Sequence, residues 1–180
     1  NFLKYSELFL KLPQLYPQID FIFRPHPLLF PNLLDHKIWT KQEIENYIKR
    51  ICSFNNVVYD TSDNYFDKFV NSDAMIHDCG SFIAEYLYTK KPCCYMMKTK
   101  ESTYEGLIPF GKKCMDNHYH ALSADDIMAF IDDVVVGGKD KLKRIREEFV
   151  EKELKINYPS SSRFFVDYIA NQLKRKNRIK

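Results

Sequence analysis

The chain has 180 residues, 45% of them hydrophobic, 28% charged and 15% aromatic. That composition excludes a disordered chain and provides for a sizeable buried core in one domain or a domain with an appendage. The net charge of +3, from 27 basic and 24 acidic residues, is too small to imply nucleic acid.

In chain order, Leu8, Leu12 and Leu15 lie near helical spacing, which predicts a first helix with Ser6 as N-cap and Pro13 limiting or kinking it. The β-branched and aromatic run ending at Pro25 predicts a strand at Phe21–Arg24. The proline-rich stretch 25–37 reads as a loop. Thr40 followed by Glu43 forms a capping-box pattern, so a helix is expected from Lys41 to Ser53. A short buried strand is expected at Asn56–Asp60, a short helix at Asn64–Asn71 and a strand at Ala74–His77.

After a polar turn at Gly80, residues 81–91 read as a helix and Pro92–Met97 as an apolar strand. Residues 101–113 read as loop, with a weak strand near Cys114–Leu122. Ser123 caps a predicted helix over 123–135, with Asp125 and Asp126 in the first turn, where acids are favoured. A charged helix follows the Gly137–Gly138 break, and a last helix runs on from Pro159 with Phe164, Phe165, Tyr168, Ile169 and Leu173.

Short apolar strands alternating with helices of about ten residues give the rhythm of an α/β domain, a three-layer parallel sheet covered on both faces. The opening "NFLKYSELFL" has no initiator Met, so the chain reads as part of a longer protein. Cys52, Cys79, Cys93, Cys94 and Cys114 are odd in number and lack CxxC spacing, which points to reduced, buried thiols in a cytosolic protein. No apolar run reaches the roughly 18 residues of a membrane span. The terminal "LKRKNRIK" carries five cations (Lys174, Arg175, Lys176, Arg178, Lys180) and suits a solvated helix end or contact with an anionic membrane surface.

In open parallel α/β sheets, ligands bind beyond the carboxyl ends of the strands. Two polar clusters are expected there, on one edge of one sheet. The first is Arg24-Pro25-His26-Pro27 and the second is His77-Asp78-Cys79-Gly80-Ser81. Gly80 lets backbone approach a ligand, Ser81 caps the following helix, and the amides of Ser81, Phe82 and Ile83 make an anion site for a phosphate or diphosphate. Glu85, one turn on, is placed to accept from a ribose or substrate hydroxyl. Arg24, His26, His77 and the helix start would together make a positive pocket. Structural roles stand beside these: Asp78 capping a helix, and His26 or the Gly-Ser turn serving only the fold. Ser162 and Arg163 in "YPSSSR" form a second candidate phosphate site, with capping as its structural alternative. His118 and His120 lack further ligands for zinc. There is no Walker pattern and no GxGxxG, and Cys79 has no evident base.

The runs "FIFRPHP", "NSDAMIHDCGSFIAEYLYTKKPCCYM" and "NYPSSSRFFVDYI" resemble the C-terminal half of the CDP-glycerol glycerophosphotransferase family, over about Tyr5 to Leu173. Arg24–Pro27, Ser72-Asp73 and Lys91-Pro92 match its pattern. Where the family has "TDYSS" this chain has His77-Asp78-Cys79-Gly80-Ser81, keeping Asp78 and Ser81. The turn is also similar to the "DSGG" element of UDP-N-acetylglucosamine 2-epimerases.

The resemblance implies the donor-binding half of a GT-B fold. Residues 1–158 would form a Rossmann-like domain lacking its first strand, and 159–180 a helix and basic tail. It implies a CDP-linked donor as substrate with no further cofactor, and a cell-surface polymer or glycan acceptor. It implies an N-terminal partner domain supplying the base, and a cytoplasmic place, peripheral on the inner membrane face. Arg24 and His26 would act on the donor diphosphate, with the amides at Ser81–Ile83 and with Ser162 and Arg163; metal-independent chemistry is expected. A UDP-sugar transferase or epimerase-like domain and a non-catalytic α/β module remain open alternatives.

Overall fold

The computed structural model describes residues 1–177, so Arg178 and Lys180 of the basic tail lie outside the described residues. Two compact units divide the chain, Asn1–Asn71 and the residues from Ser72 onward; position 158 lies within the second.

The first unit begins with helix α1 (Phe2–Leu15). Ser6 does not start the helix. Ser6 is buried inside it, with its hydroxyl donating to Leu3 O at 3.3 Å. Pro13 sits in the last turn, where it ends the helix two residues later without breaking it midway. Asn56 holds the exit: its side-chain amide donates to the carbonyls of Pro13, Tyr16 and Ile19 at 3.0–3.3 Å.

Strand β1 (Phe21–Phe23) pairs in parallel with β2 (Val57–Tyr59), Phe23 opposite Tyr59. Between them lie α2 (Leu29–Asp35) and α3 (Lys41–Ile51). Helix α2 replaces the expected loop. Pro31 occupies its third position, within the first turn, where a missing N–H costs no intrahelical bond. Helix α3 starts as expected: Thr40 accepts from Glu43 N, and the Glu43 carboxylate accepts from Thr40 N. Helix α4 (Phe66–Asn71) closes the unit.

Phe2, Leu10, Leu33, Tyr47 and Ile51 form the core of this unit, backed by Phe23, Phe30, Trp39 and Val57. Phe2 meets Tyr47 and Trp39 edge-on at 5.3 and 5.5 Å, which adds specific ring geometry to area burial. The alternate strand residues Ile22 and Val58 are exposed, so this sheet is not covered on both faces as expected.

In the second unit, β3 (Met75–His77), β4 (Cys93–Met96) and β5 (Tyr119–Ala121) form a three-stranded parallel sheet in that order. The expected single sheet is therefore two small parallel sheets. Strands of three or four residues carry few ladder bonds, and β3 spends its pairing on β4.

After β3 come α5 (Phe82–Glu85) and a 3₁₀ turn at Tyr86–Thr89. Helices α6 (Lys100–Glu105) and α7 (Pro109–Met115) occupy the stretch expected to be loop, and Pro109 takes the first helical position, where it is tolerated. Helix α8 (Ala124–Ala129) continues as a π-helical stretch at Phe130–Val136; α9 (Lys143–Phe149) does likewise through Leu154. Helix α10 (Ser161–Asn177) ends the described chain. No helix among the described residues is long and apolar enough to cross a membrane.

Cys93, Cys94 and Cys114 are buried as expected, whereas Cys52 is exposed and Cys79 half-buried. Burial raises the Cys94 thiol to about 12 and Cys114 to about 11, which keeps both protonated and inert.

Candidate functional site

In the first unit, the chain leaves β1 through Arg24. The parallel register that sets Phe23 beside Tyr59 brings the next residues, Arg24 and Asp60, together. Their ion pair is joined by Arg24 Nη2 donating to Ser62 O at 2.6 Å, and the guanidinium lies 5.8 Å from the Tyr65 ring. Desolvation alone would raise the Asp60 carboxyl. Hydrogen bonds from Ser62 and Arg24, with the guanidinium charge, outweigh that and hold it below the ordinary value. Asp60 was not singled out from sequence. Its signal was present: neighbouring parallel strands "FIF" and "VVY" are each followed by a charge of opposite sign.

Two residues on, His26 is exposed. Its Nδ1 accepts the Leu28 N–H at 3.1 Å, which leaves Nε2 as the ring's donor. Its carbonyl accepts from Leu29 N at 2.8 Å, so the same residue ties the turn to the start of α2. Flanking Pro25 and Pro27 fix the backbone on either side. The result is one imidazole N–H, held by local bonds and presented to solvent near the carboxyl end of a strand.

In the second unit, His77 ends β3 but turns inward, at 6% exposure. It packs edge-on against Tyr95 at 5.2 Å and His118 at 5.4 Å. Neither ring nitrogen has a hydrogen-bond partner. The nearby Cys79 backbone favours the protonated ring weakly, but burial dominates and lowers His77 to about 4. Burial, then the neighbouring His77, lowers His118 to about 3. His77 therefore supplies no positive charge at neutral pH, contrary to its expected place in a cationic pocket. A strand-end residue in a parallel sheet alternates faces, and this one faces the core.

The turn itself is open. Asp78 is exposed, and its carbonyl accepts from the Tyr95 hydroxyl at 3.3 Å. A Cβ placed on Gly80 would meet nothing within 4 Å, so no packing demands glycine there. Ser81 does not cap α5. It has helical backbone angles, and its hydroxyl lies 3.5 Å from Cys79 Sγ instead. Phe82 and half-buried Glu85 are the first and last residues of the four-residue α5. Such a short helix carries little dipole toward an anion, because the field sums over aligned peptide units.

The matched Ser72 and Lys91 meet at the amino ends of β3 and β4, where Lys91 Nζ donates to Ser72 O. They lock the strand register on the edge opposite the turn. Ser162 and Arg163 begin α10 and are exposed. Arg24 and His26 thus belong to one unit and the remaining candidates to the other.

A separate open cleft of about 350 Å³ in the second unit is lined by Tyr119, His120, Asp126, Phe130, Asp133 and Lys139, among others, and by none of the expected residues. Its Lys139 pairs with Asp133 at 3.1 Å. Comparison with protein-family models, with curated proteins and with solved structures finds no match.

Proposed function

We propose that this chain is the donor-binding part of a GT-B-type transferase. In the full protein its parallel strands would belong to a three-layer Rossmann-like domain that holds a CDP-linked donor, whose glycerophosphate or related group passes to a cell-surface polymer. The observation that carries the proposal is the exposed His26 Nε2–H near the carboxyl end of β1, with its ring set by the Leu28 N–H. Ligands of parallel α/β sheets gather beyond that end of the strands.

In this scheme the acceptor oxygen bonds to the phosphorus of the transferred glycerophosphate, the bond between the donor's two phosphates breaks, and His26 donates to an oxygen of the departing nucleoside monophosphate, where negative charge grows in the transition state. Arg24 acts mainly by holding the turn, because Asp60 and Ser62 engage its guanidinium. The open Asp78–Ser81 turn offers backbone and the Ser81 hydroxyl to the same class of ligand. The acceptor's proton goes to a base outside this chain, on an N-terminal partner domain.

One observation favours a second reading, a non-catalytic α/β module. With Arg24 compensated by Asp60 and His77 buried and uncharged, the strand ends hold less positive charge than the sequence implies.

Isothermal titration with CDP, UDP and GDP, repeated on His26→Ala, separates these. The transferase proposal expects preferential CDP binding that His26→Ala weakens by about tenfold, or about 1.4 kcal/mol. Preference for UDP moves the assignment to a UDP-sugar transferase or epimerase-like domain. Binding of no nucleotide, or binding indifferent to His26, favours the module.

A further inference from the structure

We infer that His77 and His118 form a buried binding site for one soft monovalent metal ion, copper(I) by chemical class. His77 ends β3 and His118 stands just before β5, both buried. Their ring centroids lie 5.4 Å apart, with 62° between the planes. Among the described residues, five buried side-chain polar atoms have no hydrogen-bond partner. Three of them belong to this pair: His77 Nδ1, His77 Nε2 and His118 Nε2. Leaving such atoms unpaired is costly, so their concentration at one place points to a ligand.

His118 has the tautomer that a metal ligand needs. Its Nδ1 lies 3.0 Å from Cys114 O. A carbonyl only accepts, so Nδ1 carries the proton and Nε2 keeps its lone pair. A backbone carbonyl behind the ring is also the outer support that orients ligating histidines. Tyr95 at 5.2 Å and Phe82 at 6.2 Å wall His77 with aromatic rings. Burial keeps both imidazoles uncharged at neutral pH, the form that ligates.

The ligand set and the burial select the ion. Among the described residues, no three His, Cys, Asp or Glu side chains are grouped to hold a metal. Zinc asks for three or four protein ligands, and calcium or magnesium for oxygens. Imidazole suits copper, and closed-shell copper(I) is satisfied by two nitrogens. With bonds of about 2 Å, and each ring centre about 1 Å behind its nitrogen, the centres stand roughly 6 Å apart in line and closer when bent. The observed 5.4 Å fits a bent pair. A single charge is also far cheaper to bury than a double one, because the solvation penalty grows with the square of the charge. Arg146, whose charge reaches His118, is compensated by Asp140. The turn after His77, with Asp78, Gly80 and Ser81 exposed, gives the ion its way in. This inference is independent of nucleotide binding.

The test is anaerobic titration of the whole chain with copper(I) against a chromogenic copper(I) chelator. A Cys52→Ser/Cys79→Ser background removes the two thiols that are not buried. The expected result is one ion per chain, bound about tenfold or more weakly in His77→Phe or His118→Phe. His36→Gln, on an exposed histidine, should leave binding unchanged. Circular dichroism checks that each variant stays folded. A second measurement needs no substitution in the core: ¹⁵N spectra of the histidines with silver(I), a redox-inert stand-in for copper(I). Silver coupling should appear at His118 Nε2 and at one His77 nitrogen, with His118 Nδ1 still protonated. Three results would overturn the inference: no saturable copper(I) binding, sulfur neighbours in the copper X-ray absorption spectrum, or silver signals confined to the exposed histidines.

Discussion

Arg24 and Asp60 face each other because two short parallel strands end in register, and each strand is followed by one charge. The Asp60 carboxyl is held below its ordinary value, so its contribution to stability is present above that ordinary value and fades as pH falls through the lowered one. His77 and His118 act in the same direction for another reason. Each is lowered by burial, to about 4 and about 3, so the unfolded chain takes up protons first as pH drops below about 6.5. The protein should therefore lose stability steadily from about pH 6.5 toward pH 4. Thermal unfolding across that range should show a shallower loss for His77→Phe, which cannot be protonated. An unchanged slope would remove the buried imidazole as its source. Arg146 makes a separate demand. Fully buried, it pairs with Asp140 and donates from Nε to Lys90 O at 2.9 Å, while Tyr119 donates to Asp140 at 3.0 Å. Arg146→Ala leaves the largely buried Asp140 without its cation and should cost roughly 3–5 kcal/mol in denaturant unfolding. A loss under about 1 kcal/mol would mean that the pair is solvated in solution.

Among the elements, Ser123 and Asp126 form a reciprocal cap on α8, with the Asp126 carboxylate accepting from Leu122 N and Ser123 N at 2.8 Å. Ser123→Ala should cost about 1 kcal/mol, measured by the same unfolding experiment. Two glycines give opposite expectations. A Cβ at Gly137 would lie 2.8 Å from Asp133 O and 2.9 Å from Asp132 O, so Gly137→Ala should destabilise the end of the π-helical stretch. Gly80 has open space, so Gly80→Ala should leave stability unchanged or raise it by about 0.5 kcal/mol. Two helices with a side-chain cap were legible in the sequence, as Thr40 and Ser123 show, because the capping residue and its partner lie three positions apart; α6, capped by Thr99, was read as loop. Helices α2 and α7 were not. Their prolines read as loop punctuation, and only the fold reveals that Pro31 and Pro109 occupy first-turn positions. Ser6 and Ser81 looked like caps by type alone; the backbone angles that decide capping are not written in the residue.

Across the whole molecule, alternation of short strands and helices identified an α/β chain with parallel pairing, and both sheets are parallel. The number of sheets was not legible, because strands of three residues do not encode which neighbour they pair with. The polar residues after β1 and β3 were also legible, since charged and glycine-rich turns stand out after apolar runs. Which of them face solvent was not: His26 does, His77 does not, and that difference arises from strand facing and long-range packing on Tyr95 and His118. The proposed activity therefore rests on one exposed imidazole more than on a pocket of cations. The most direct test is to follow the side-chain ¹⁵N signals of the histidines while CDP is added. The donor-binding proposal predicts a saturable shift at His26 Nε2, with His77 and His118 unmoved inside the core. Saturable CDP binding that leaves His26 Nε2 unshifted, or no saturation at all, would contradict it.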